Sequence, residues 1–360
     1  MRRPRSVAFS IGLAILLSAA GTALADEGRV NINALPGPPY VLSAPGHYIL
    51  EKDIVITGGS AIVVDADCVE VNLNGKTITS TSGSGNLIQI NDGVSDVTIL
   101  NGCLTGGRRG IDYTTATGFG TAAQIRDVKI RNATERGISI LGARDVEISS
   151  CRVERIAGDF GIYVDSLSTP FTGRLTSNTV IDVGGWGIYA QGLEGGEVTH
   201  NVVRQFGSAM PGTAGIWLDG QSAFFVGGNE IAANKVSFGG GDDDGLVVGD
   251  ASRNNLIRDN TLYENGRTGL WLPSSDGNTV QNNVIGRNGG NGIKVQASFG
   301  LRNLFQGNHI ESNGGFGIEF GAGTANNVCR DNVVHNNAAG PSAGPPQTSL
   351  GGNFPAALCL

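Results

Sequence analysis

Apolar residues recur along this chain in short alternating runs, and the runs return at a nearly constant interval. Each run opens with glycine, followed by an aliphatic residue, a variable residue and a second apolar one. The phrase reads Gly137-Ile138-Ser139-Ile140, Gly161-Ile162-Tyr163-Val164, Gly187-Ile188-Tyr189-Ala190 and Gly215-Ile216-Trp217-Leu218. It continues as Gly245-Leu246-Val247-Val248, Gly269-Leu270-Trp271-Leu272, Gly292-Ile293-Lys294-Val295 and Gly317-Ile318-Glu319-Phe320. Successive glycines stand 24, 26, 28, 30, 24, 23 and 25 residues apart. A second phrase, Asn followed by a variable and an aliphatic residue, falls between them at Asn178, Asn201, Asn234, Asn260, Asn283, Asn308 and Asn332.

Alternation with period two predicts strands that bury one face. Units this short cannot bury a core alone, so they must stack in register, each strand pairing with its equivalents above and below. The expectation is an all-β parallel β-helix solenoid of about 10–11 coils. Residues 26–53 would cap it, residues 54–337 would form the coils and residues 338–360 a tail. Glycine is expected to supply positive φ at corners. The recurring Asn is expected to form an inward ladder, its amide bonding to its counterpart about 4.8 Å along the axis. A leucine-rich horseshoe lacks its leucine template here, and a propeller needs a longer repeat of four antiparallel strands.

The first residues change the charge balance. Arg2, Arg3 and Arg5 precede a short apolar stretch over residues 7–17, and Ala23-Leu24-Ala25 offers a small-x-small cleavage pattern. Residues 1–25 are therefore read as a signal peptide, the mature chain beginning at Asp26 and reaching the periplasm or the exterior. Its loss leaves 22 basic against 32 acidic residues, a net charge of −10. That sign disfavours nucleic acid and anionic membrane surfaces as partners. No later run is apolar enough to span a bilayer, and a monomer is expected.

There are 57 glycines in 360 residues with no Gly-X-Y period, which excludes collagen and suits tight corners. Among five cysteines, Cys329 and Cys359 flank a Pro/Gly-rich tail and are placed to staple it to the last coil. Cys68, Cys103 and Cys151 adjoin apolar strand residues and are read as buried free thiols.

These repeats resemble the right-handed parallel β-helix repeats of the pectin-lyase-like superfamily over roughly Ile54 to Asn337. The opening segment, Pro45-Gly46-His47-Tyr48-Ile49-Leu50 and then Val69 to Ile78, resembles the start of small periplasmic β-helix proteins, including those that assist copper-enzyme assembly. The resemblance implies the fold, with that segment capping the first coil. It leaves chemistry open, because the superfamily holds lyases, hydrolases, epimerases and non-catalytic proteins.

Given that fold, residues two and four after each glycine face outward. The first column contains Ser139, Tyr163, Tyr189, Trp217, Val247, Trp271, Lys294 and Glu319. Tyr163, Tyr189, Trp217 and Trp271 suit the apolar faces of sugar rings, or else they pack beneath a loop or the tail. The longer intervals near Trp217 add loop residues that would wall a groove. The second column holds Asp165 and Asp219, two coils and hence about 9.6 Å apart, a spacing suited to an inverting glycosidase; solvated carboxylates are the plainer alternative. Asp242, Asp243 and Asp244 in a glycine-rich corner are a candidate calcium site or a hydrated turn.

Polygalacturonases of this fold carry an Asp-Asp pair that Asp243 and Asp244 match. Ala214, Thr268 and Gln296 replace three further required groups, so that activity is not expected. Lyase or epimerase chemistry needs a base and a cation, for which Lys294, Arg267 and the Asp242–Asp244 run are the suitable types. His47, His200, His309 and His335 have no evident partner in the sequence and receive no role. Two readings remain. One is a β-helix binding polysaccharide or cell-envelope glycan without a complete catalytic set. The other is a polysaccharide lyase, hydrolase or epimerase using Asp165, Asp219 or Lys294, with Tyr163, Tyr189, Trp217, Trp271 and Arg267 holding substrate.

Overall fold

A computed structural model of the chain describes residues 28–114, 121–167, 169–220, 226–249, 251–296, 300–356 and 358–359. The expected signal peptide lies outside the described residues. Among the described residues no helix is long and apolar enough to cross a membrane. The structure is all-β, with every recorded strand pairing parallel to its neighbours along the stack. The glycine-led segments form one 13-stranded sheet, here the glycine face, running from Tyr40–Leu42 to Gly340–Ala343. Two further ladders make the second face, which includes Glu230–Ala232 and Leu256–Arg258, and the third, which includes Val202–Phe206, Lys235–Gly239 and His309–Glu311. The long strands Val97–Thr105 and Thr121–Arg131 bend through the corner between them and belong to both.

The repeat region contributes eleven of the glycine-face strands, so the solenoid has about eleven turns. The segments before and after it add one strand each. Tyr40–Leu42 pairs with Ile62–Val64, and Gly340–Ala343 pairs with Phe316–Phe320. The tail therefore continues the stack instead of folding back over the outward aromatic column. Cys329 and Cys359 are joined by a disulfide across 6.3 Å between Cα atoms, tying the chain end to the last coils.

Inward positions of all three faces merge into one core cluster that runs from Ile32 to Cys359. Only Cys151 of the three free thiols lies in it; Cys68 is exposed and Cys103 half-buried. That corrects the expectation for two of them. Cys103 occupies the outward half of the alternation in its strand, and Cys68 sits at a corner with φ of 54°. Burial pushes the Cys151 thiol up to about 12.

Each corner of the coil carries an amide ladder. The predicted one runs from Asn178 to Asn332 and ends on Asn353. At every step the backbone N–H and the Nδ2 of one Asn both donate to Oδ1 of the next, as from Asn260 to Asn283 at 3.0 Å each. Two ladders went unpredicted: Asn229, Asn255, Asn278, Asn303 and Asn327 ending on Gln347, and Asn265, Asn288, Asn313 and Asn337. They satisfy buried polar groups that no strand reaches.

The residue before each ladder Asn turns the corner in the left-handed region. Ser177, His200, Ala233, Asp259, Asn282 and Asp331 do so with φ between 54° and 59°. The phrase-leading glycines have ordinary φ instead, which corrects the sequence expectation. Their reason is space: a Cβ on Gly215 would stand 2.1 Å from Val236 Cγ1.

Candidate functional site

The outward side of the glycine face assembles three columns, and the sequence reading had identified two. In register, Tyr163 pairs with Tyr189, Tyr189 with Trp217, Trp217 with Val247, and Val247 with Trp271. The missed column lies one residue before the glycine, where Arg136 pairs with Phe160 and Phe160 with Trp186. It lies three residues before the first column, an odd offset that strict alternation would turn inward, so the parity argument that found the first column could not find this one. Phe160 and Trp186 stack with centroids 4.9 Å apart, and Trp186 meets both Tyr189 and Trp217 edge-on.

Six rings thus form one strip. Phe160, Tyr163, Trp186, Tyr189, Trp217 and Trp271 are linked by centroid distances of 4.6 to 6.4 Å. From the coil of Tyr163 to that of Trp271 it spans four inter-coil steps, about 19 Å. Trp217 and Trp271 close over the intervening Val247, their centroids 6.3 Å apart, which leaves this outward valine fully buried. Tyr163, Trp186, Tyr189, Trp217 and Trp271 remain half-buried, so the strip is a surface, packed laterally ring against ring.

Guanidinium groups close both ends. Arg136 lies 4.4 Å from the Tyr163 ring centroid and pairs with Asp159 at 3.0 Å. At the other end Arg267 stands 5.0 Å from the Trp271 centroid. Asp244 holds it there, accepting from Nε at 2.9 Å and also from Nη2. That hydrogen bond raises the Arg267 pKa further above its ordinary value. Beyond it Trp271, Asn291, Lys294 and Gln296 line a shallow recess, with Lys294 Nζ 3.6 Å from Glu319.

The carboxylates of the second column are bound by the strip itself. Tyr163 donates its hydroxyl to Asp165 at 2.8 Å, and Tyr189 donates across a coil to Asp219 at 3.1 Å. Asp165 also accepts from the Leu167 backbone N–H. In register Asp165 pairs with Gln191 and Gln191 with Asp219, the expected two steps. Lys294 lies three steps beyond Trp217, about 14 Å along the axis, so it does not join those carboxylates at one point.

The acidic corner does not gather either. Asp242 is exposed, and Asp243 is buried with Oδ1 accepting from the Thr213 backbone and hydroxyl. Asp244 is spent on Arg267 and the Thr268 N–H. Among the described residues these three do not form a ligand cluster, because one guanidinium and one threonine have taken two of the carboxylates in different directions.

Burial, and then the charge and hydrogen bond of the adjacent aspartate, raise the phenols of Tyr163 and Tyr189 well above their ordinary value. A raised phenol pKa contributes stability that is complete below the unfolded value of about 10 and lost as the pH climbs past it. Urea midpoints measured on either side of that pH should therefore fall on the alkaline side. The fall should shrink in the Tyr163→Phe, Tyr189→Phe double variant, and an undiminished fall would locate its cause elsewhere.

The sequence matches the family described as the right handed beta helix region over residues 54–236 and 214–344. The chain belongs to this family. A search of curated proteins found no match. Among solved structures, this β-helix is similar to the A-module of the Azotobacter vinelandii mannuronan C-5 epimerase AlgE6. The two are 16% identical with a TM-score of 0.57, covering 86% of this chain and 90% of that one. The AlgE4 A-module from the same organism gives 16% identity and 0.55, over 85% and 88%. The Dettilon tailspike protein gives 16% and 0.52, over 84% of this chain and 62% of that one. At such identity the likeness is one of fold.

Proposed function

We propose that this exported β-helix binds a glycan chain along the six-ring strip, without a complete catalytic set. The observation that carries the reading is the continuous exterior aromatic surface with an arginine at each end. Sugar rings offer apolar faces to aromatic side chains, and such a strip in water is costly unless covered. The guanidinium groups, each already paired with an aspartate, offer their remaining N–H groups to sugar oxygens at the ends of the bound segment. Two of the fold's relatives are named for epimerisation of mannuronan, which is consistent with a polysaccharide partner.

A second reading, catalysis, is favoured by the spacing of Asp165 and Asp219. It is weakened by their hydrogen bonds to Tyr163 and Tyr189, which give each carboxylate the task of orienting a ring. The distance of Lys294 from both counts against it too. Asp165, Asp219 and Lys294 are therefore not brought to one locus.

Affinity electrophoresis against uronate-containing and neutral polysaccharides tests the proposal, with product assays for unsaturated ends, reducing ends and epimerised units. Binding without products is expected. Trp217→Ala and Trp271→Ala should each weaken binding at least about tenfold, since one stacked ring contributes on the order of 1.5 kcal/mol. Unchanged binding in both variants would remove the strip from consideration. Turnover that Asp219→Asn abolishes would establish the second reading instead.

A further inference from the structure

A separate group of ligating side chains lies on the third face, near the end of the stack. The strand His309–Glu311 turns His309 and Glu311 to the same outward side, two residues apart. The next coil brings Val333–His335 into register, with His335 directly beside Glu311. Both imidazoles aim Nε2 at the same Glu311 oxygen, Oε2, each at 3.6 Å. Their ring centroids are 5.2 Å apart and nearly perpendicular. The three ligand atoms lie within 4.8 Å of one another, and they are the one such group among the described residues.

These contacts are too long for hydrogen bonds, which close to about 3 Å. Three lone-pair donors are thus gathered without bonding to each other. Two ligands bound to a tetrahedral zinc at about 2.0–2.2 Å stand roughly 3.4 Å apart, close to the separations seen here. Small rotations of the imidazoles would complete the set. The backbone positions are held by paired strands, so little ordering is needed on binding. Gly286 precedes Glu311 in the outward column, and the Tyr263 ring packs over it, 2.8 Å from where a Cβ would stand.

We propose that His309, Glu311 and His335 form a surface site for a divalent first-row transition ion. Two imidazoles and one carboxylate suit zinc, nickel or copper, whereas calcium and magnesium prefer all-oxygen ligands. The side chains are about one-third to two-fifths exposed, so water completes the coordination. The site is independent of the glycan reading, since it lies on another face and shares no residue with the strip.

Zinc chloride titrated calorimetrically into the full chain, freed of any affinity tag, tests the site. One ion per chain is expected, with Glu311→Gln and the His309→Ala, His335→Ala pair each weakening binding at least about tenfold. Calcium at equal concentration should not compete. Because all three residues are on the outward side, these variants should keep the parent melting temperature in the absence of metal. Of the four histidines, only the ring signals of His309 and His335 should shift in NMR spectra upon zinc addition. Equal zinc affinity in the variants, shifts confined to His47 or His200, or absence of binding up to about 1 mM would overturn the proposal.

Discussion

Gly215→Val should be the most damaging single substitution on the glycine face, lowering unfolding stability by about 3 kcal/mol or more. A Cβ at this position would meet Val236 Cγ1 at 2.1 Å, Phe206 Cε1 at 2.9 Å and the Gly245 carbonyl at 3.0 Å. The first two belong to the adjoining third face, and the carbonyl to the next coil. None of them can withdraw without opening the core or the ladder. Because Gly215 has ordinary φ, no backbone strain enters, and the whole effect is overpacking. Gly215→Ala should already cost about 1–3 kcal/mol. Gly241, with open space around it and ordinary φ, supplies the control. Gly241→Ala should be neutral or stabilise by up to about 1 kcal/mol through the unfolded chain. Urea midpoints for the three variants decide the matter. If Gly215→Ala and Gly241→Ala behave alike, space is not why glycine leads each repeat.

Severing the amide ladder at Asn260 should cost about 3 kcal/mol, the second largest effect. Asn260 Oδ1 accepts from the Asn234 backbone N–H at 3.0 Å and from its Nδ2 at 2.9 Å. Its own Nδ2 also reaches the Ile231 carbonyl at 2.8 Å. In Asn260→Leu the Asn234 N–H and the Ile231 carbonyl lose these partners inside a dry corner. Each unsatisfied buried group costs about 1–3 kcal/mol. Asn353→Leu strips the Asn332 N–H and the Cys329 carbonyl in the same way, but at the more accessible end of the ladder, where water can replace the lost partners, so it should cost less. Thermal or urea unfolding of both variants provides the measurement. Equal loss at the two positions would mean that water does not reach the groups freed at the end of the ladder.

Much of the architecture was legible in the chain. Alternation fixed which residues of Gly187-Ile188-Tyr189-Ala190 point inward, and the recurrence of Asn announced a ladder, because both signals are local and repeat. The Asn265 ladder lacked the aliphatic spacing that drew attention to the first, whereas the Asn229 ladder carries it, as in Asn229-Glu230-Ile231 and Asn278-Thr279-Val280, and was legible by the same rule. Of the candidate site, the column from Tyr163 to Trp271 was visible as soon as stacking was assumed. Phe160 and Trp186 stand three residues before Tyr163 and Tyr189, an odd offset that strict alternation turns inward, so only the tertiary structure revealed that they join the strip.

Sequence alone determined the period, the strand parity and the stacking of coils, because hydrophobic alternation and repeat length act through neighbours along one strand. Tertiary structure decided how side chains meet across coils whose lengths vary from 23 to 30 residues. It placed Val247 beneath two tryptophans, turned Asp244 to Arg267, and gave the leading glycines a packing role. It also brought His335 beside Glu311 from 24 residues away. Such contacts depend on which rotamers fit once neighbouring coils are in place, and no linear pattern encodes that choice.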